Sequence, residues 1–176
     1  PAPCLDGVAL DLVVYVLNYV VTPLVALWRS GLVDPALVGP VCAVVCACSA
    51  LYFADRRMKT ADYWFRGFPS LWNIVVFYLL VLRPPAAASL TLVLVTTAFM
   101  FVPVAFVHPL RVKRLRPVTL VMTVIWCGAA IAAVAQHLAA ASFPVQATLV
   151  LPWFYLLSFP LFPAARPAAQ GSGVGL

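Results

Sequence analysis

Long apolar runs separated by short polar turns make up most of the chain. A helix crossing the ~30 Å hydrocarbon core of a bilayer takes about 20 mostly apolar residues. By that measure the pattern predicts six spans, at about 8–28, 36–54, 69–83, 86–107, 117–140 and 147–163. The third is short and begins at the Gly67-Phe68-Pro69 turn. Arg83-Pro84-Pro85 parts it from the fourth, because paired prolines cannot continue a helix. Pro23, Pro40, Pro103 and Pro152 fall within or at the ends of spans, where neighbouring helices can take up the carbonyls they free. Small residues (Ala36, Gly39, Ala43, Ala47, Ala50, and the stretch Gly128 to Ala133) predict close helix approach, with room for a homodimer. The expected fold class is all-α: a polytopic membrane helix bundle of about six transmembrane helices in one domain over 1–165. Residues 166–176 read as a flexible tail rich in small residues.

Composition removes the alternatives. Of the 176 residues, 65% are hydrophobic and 9% charged, against roughly 25% charged in a soluble domain. A soluble domain needs a charged skin that this chain does not carry, and disorder goes with low hydrophobicity and high charge. The acidic residues are five aspartates, with no glutamate. The net charge of +6 does not point to nucleic acid, because the cations sit in short clusters between apolar runs. Cys42, Cys46 and Cys48 lie in one apolar run and Cys127 in another, where thiols act as small hydrophobes and match no zinc spacing. The chain begins at Pro1 rather than at a methionine, so it reads as a fragment or a processed product.

The cations also predict orientation. Arg56, Arg57, Lys59 and Arg66 follow the second span, Arg111, Lys113, Arg114 and Arg116 the fourth, and Arg166 the sixth. Six spans put these nine of the eleven basic residues on one side, with Arg29 and Arg83 opposite. Cationic loops stay cytoplasmic, so the N-terminus and both basic loops are expected there. Asp11 then lies a turn or so into the first span at its cytoplasmic end. A carboxylate at membrane depth costs several kcal/mol and marks a functional candidate; a frayed helix start within reach of water explains it equally well.

Three segments carry chemistry. Gly7-x-x-x-Asp11, within Asp6 to Tyr15, is similar to the second half of the signature of the CDP-alcohol phosphatidyltransferases, D-x2-D-G-x2-A-R-x8-G-x3-D-x3-D. Two further segments resemble the bacterial phosphatidylcholine synthase branch of that family. One runs from Asp55 through Lys59, Asp62 and Gly67-Phe68-Pro69-Ser70-Leu71-Trp72-Asn73. The other is His108-Pro109-Leu110-Arg111-Val112-Lys113-Arg114-Leu115-Arg116-Pro117. Leu10-Asp11-Leu12-Val13-Val14, Tyr19-Val20 and Pro23 read the same way, and the resemblance runs from about residue 4 to 165.

The resemblance implies an enzyme of the bacterial inner membrane, with its site facing the cytoplasm. It would join choline to CDP-diacylglycerol, releasing CMP and forming phosphatidylcholine. It also implies Mn2+ or Mg2+, hard cations suited to carboxylate oxygens, with Asp11 as a metal ligand. A base aspartate is expected four residues on, where this chain has Tyr15. The two positions share a helix face, but phenols titrate near pH ~10 and make poor bases at neutral pH. The half-motif D-x2-D-G-x2-A-R is absent, because Leu10 and Asp11 stand where alanine and arginine would follow Asp6-Gly7. The branch has about eight spans, so two N-terminal spans and that half-motif are expected to be missing. On this reading the chain as given is inactive or nearly so.

Arg111, Lys113 and Arg114 either fix topology against anionic head groups, at about 1 kcal/mol per charge, or bind substrate phosphates. Asp55, Lys59 and Asp62 are either a solvated loop cluster or substrate-positioning residues. Choline, a quaternary ammonium, is recognised by aromatic faces. Tyr15, Tyr19, Trp64, Phe65 and Trp72 are candidates for that role, though an interfacial aromatic belt accounts for them better. His108 reads as an interfacial cap and His137 as a residue of the outer interface. Two competing readings remain: transfer to another alcohol (serine, inositol or glycerol phosphate), and a non-catalytic pseudoenzyme or lipid-binding partner. A transporter is disfavoured, because the spans after the first hold almost no midplane polar groups.

Overall fold

The computed structural model of the chain describes residues 6–55, 65–102, 105–106 and 116–158. The chain opens on one continuous helical rod, made of α1 (Gly7–Val16), a π-helical turn (Leu17–Val21) and α2 (Thr22–Ser30). Asp6 begins it, its carboxylate accepting from the Ala9 amide at 3.3 Å. The wide turn has a cause in the sequence. Pro23 lacks an amide and its ring crowds the carbonyl four residues back, so the Thr22 amide reaches past its usual partner to the Leu17 carbonyl. Gly31, at φ +69, ends the rod. The Asp34 carboxylate, accepting from the Ala36 amide at 2.8 Å, starts α3 (Pro35–Ala54).

After α3 come α4 (Trp72–Leu82), α5 (Ala86–Phe99), α6 (Arg116–Ala135) and α7 (Phe143–Ser158). Two short strands, β1 (Phe65–Arg66) and β2 (Ala105–Phe106), pair antiparallel, Phe65 with Phe106 and Arg66 with Ala105. The all-helical bundle is therefore as expected, with the rod counted as one of six helices. Among the described residues three helical stretches are long and apolar enough to cross a membrane: Ala9–Ser30, Pro35–Ala54 and Arg116–Ala135. The others are apolar but shorter within the described residues. At 1.5 Å per residue, the eleven residues of α4 reach only about 16 Å.

Four predicted spans have different ends; the sixth begins at Phe143, not 147. The third begins at Trp72, not 69, because Ser70 takes a left-handed conformation at φ 56. The fourth ends at Phe99, not 107, where the chain turns towards β2. The fifth ends at Ala135, not 140, since His137 and Leu138 sit at φ 59 and 54, outside helical space.

Short as it is, α4 is the centre of the molecule. Trp72, Val75, Val76 and Leu79 belong to one apolar cluster with Val20, Leu24 and Leu27 of the rod, Val41 and Val45 of α3, and Val93 of α5. Tyr78 and Val81 belong to a second, with Ala129 and Ala133 of α6 and Leu149 of α7. A helix apolar all round is one that neighbours enclose. A buried polar chain fastens this second cluster: Trp126 Nε1 donates to the Tyr78 hydroxyl at 2.8 Å, and that hydroxyl donates to the Leu149 carbonyl.

The small residues divide. Ala129 and Ala133 pack inside the molecule and Gly39 receives Trp28, as close approach requires. Ala36, Ala43, Ala47 and Ala50 of α3 face outward instead.

Candidate functional site

The rod and α3 run antiparallel, and their contacts fix a register. The Trp28 ring meets Gly39, the Cys42 thiol reaches the Leu24 carbonyl at 3.8 Å, and Val21 shares a groove with Cys46. Because the two helices run antiparallel, Asp11 near the start of the rod and Asp55 at the end of α3 lie towards the same end of the helix pair. Asp11 is exposed on α1. Asp55 is half-buried and caps α3, its amide donating to the Leu51 carbonyl at 3.1 Å and the Tyr52 carbonyl at 3.3 Å. Two aspartates that the sequence places 44 positions apart thus share one end of the helix pair.

The ribbon lies beyond the same end of α3. It pairs Phe65–Arg66, just before Gly67, with Ala105–Phe106, beyond the end of α5. Gly67 makes that approach possible. At φ +78 it lies against the Met100 carbonyl, and a Cβ there would sit 2.2 Å from that oxygen. The next amide, Phe68, donates to the Phe99 carbonyl at 3.0 Å.

Gly67 to Trp72 then form a lock. Ser70 Oγ donates to Ser49 Oγ at 2.9 Å, and Trp72 Nε1 donates to the same oxygen at 3.0 Å, all three side chains being buried. Phe68 packs edge-on against Trp72, ring centres 5.9 Å apart. Trp72 is wholly enclosed (0% exposed), so its indole is spent on packing and is out of reach of a choline headgroup. Ser49 had no sequence signal beyond being a hydroxyl inside an apolar span, which needs a partner when buried.

At the position where the resemblance calls for a base, Tyr15 is half-buried and stacked on Tyr19, ring centres 5.5 Å apart and planes 24° from parallel. Lys59, Asp62, Trp64, His108, Arg111, Lys113 and Arg114 lie outside the described residues, as does the 166–176 tail. Among the described residues no group of three or more His, Cys, Asp or Glu side chains could hold a metal ion. Mg2+ keeps several waters and is held by one or two carboxylates with substrate phosphates, so Asp11 could supply one ligand of such a set.

The fold and its apolar helices define a multi-helix membrane protein. The chain is homologous to the bacterial phosphatidylcholine synthases. It is 42% identical over 125 residues to the phosphatidylcholine synthase of Agrobacterium fabrum, covering 71% of this chain and 52% of that protein. It is 44% identical over 124 residues to that of Bradyrhizobium diazoefficiens, covering 70% and 46%. With that of Borreliella burgdorferi it shares 26% over 156 residues, covering 89% and 67%. The chain spans about half the length of the first two of these relatives. No family model and no solved structure matches it.

Proposed function

We propose that this chain serves phosphatidylcholine synthesis at the cytoplasmic face of a bacterial inner membrane: transfer of the phosphatidyl group of CDP-diacylglycerol to choline, with release of CMP. The observation that carries this reading is the pairing of Phe65–Arg66 with Ala105–Phe106. It joins the strand that opens the Gly67-to-Trp72 stretch to the strand that follows α5, and both sequence neighbourhoods carry motifs of the resemblance. In this reading Arg111, Lys113 and Arg114 meet the substrate phosphates. Asp55, Lys59 and Asp62 position the headgroup.

The 176-residue chain by itself has little or no turnover. The described residues gather no cluster of three donors around Asp11, and Tyr15, at the base position, is held in an aromatic stack. Loss of a general base costs about 10²–10⁴-fold in rate. Purified chain in mixed micelles, given labelled choline, CDP-diacylglycerol and Mn2+, is expected to form no labelled lipid above background. Robust turnover would refute this. Substrate profiling with serine, inositol and glycerol phosphate separates choline from another alcohol.

The Tyr15–Tyr19 stack favours a second reading, a non-catalytic lipid-binding partner. Phosphatidylcholine content that is unchanged by loss of the gene would support that second reading over the first.

A further inference from the structure

Between the rod and α3, on the outside of the bundle, runs a groove of ≈ 230 Å³. Val21, Leu24 and Trp28 line it from the rod, Cys42 and Cys46 from α3, and Arg29 stands at its far end. Gly39 lets the groove keep its wall, because any side chain there would press on the Trp28 ring, which a Cβ would approach to 3.3 Å.

Three observations say what fills it. First, the groove opens to the outside of a membrane protein and its lining, Arg29 aside, is apolar, so hydrocarbon occupies it more favourably than water. Second, its length fits. From Arg29 to Val21 it follows a little over two helical turns, roughly 12 Å, close to the ~15 Å that one leaflet contributes to the hydrocarbon core. Third, the charge is placed for a head group. Arg29 is exposed in the last turn of α2, at the end of the helix pair away from Asp11 and Asp55, and makes no ion pair among the described residues. It also belongs to the end with few cations, where topology supplies no reason for it.

We infer that this groove seats one acyl chain of a glycerophospholipid from the leaflet opposite the basic loops, with the Arg29 guanidinium on its phosphate. A guanidinium presents paired donors that match phosphate oxygens, and the apolar walls take the chain below. The site is separate from the motif-bearing end and does not depend on whether this chain turns over substrate.

Native mass spectrometry of the purified, delipidated chain titrated with dioleoylphosphatidylglycerol tests it. Arg29→Gln is expected to weaken one binding event about tenfold, the scale of one lost charge-assisted hydrogen bond. Arg83→Gln, removing the other cation of that end, leaves the event unchanged. Cys46→Trp fills the groove and abolishes the event without touching the charge. If Cys46→Trp does not fold, the two arginine variants, both altered at exposed positions, decide alone. Equal weakening by both arginine variants, or none by Arg29→Gln, overturns the assignment. So does equal competition by dioleoylglycerol, which has the same chains without a phosphate. A dimer that Cys46→Trp dissociates would make the groove a protein interface and overturn it as well.

Discussion

Ser49 illustrates how a single hydroxyl can hold two elements together. Its oxygen accepts from both Ser70 Oγ and Trp72 Nε1 inside an apolar core. Ser49→Ala strands two buried donors, and a buried donor left unpaired costs about 1–3 kcal/mol. Ser70→Ala removes a donor and leaves the Trp72 bond in place, so it is expected to cost less. Unfolding midpoints of the two variants in detergent check the order, and equal midpoints would contradict it. Gly67 is the harder constraint, because its φ of +78 and its contact with the Met100 carbonyl both exclude a side chain. Gly67→Ala should cost more than about 2 kcal/mol by the same measurement, from backbone strain and overlap together. Neither role could be read beforehand. The sequence marks Gly67-Phe68-Pro69-Ser70-Leu71-Trp72 as a motif, but a motif does not say whether its residues hold a substrate or hold each other.

At the scale of elements, hydropathy located all six helices, because each lies in an apolar run bounded by polar or proline-bearing turns. It failed where local backbone geometry decides. The π-turn at Leu17–Val21 depends on how the chain relieves Pro23, and composition carries no trace of that. The early ends at Phe99 and Ala135 fall inside apolar sequence, where hydropathy continues after the helix has stopped. The β1–β2 ribbon was invisible, since two-residue strands have no periodicity. Boundaries also create a testable strain. Arg83 ends α4 in the left-handed conformation at φ 43, where glycine is at ease and other residues are not. Its side chain is exposed, so Arg83→Gly relieves left-handed strain of about 1–2 kcal/mol against a glycine entropy cost of about 0.5–1 kcal/mol, and is expected to stabilise the chain slightly. A lower melting midpoint for that variant would show that the guanidinium does more for the fold than the backbone loses.

For the whole molecule, the antiparallel register of the rod and α3 organises everything else. Asp11, Asp55 and the ribbon gather towards one end, while Arg29 and the lipid groove lie towards the other. Charge counting in the sequence assigns the loop cations to the Asp11 and Asp55 end, because cations in short loops are sorted by side whatever the helices do between them. The candidate site was legible only in part. The sequence puts Tyr15 where the resemblance expects a base, and the structure adds its stack on Tyr19, with no cluster of three donors among the described residues. The account rests on the basic end facing the cytoplasm, and cysteine labelling in intact cells tests this most directly. In a variant whose native cysteines are replaced by alanine, Arg29→Cys should react with a membrane-impermeant maleimide from outside. Lys113→Cys should react only after the cells are permeabilised. Labelling of Lys113→Cys in intact cells, with Arg29→Cys protected, would contradict the account.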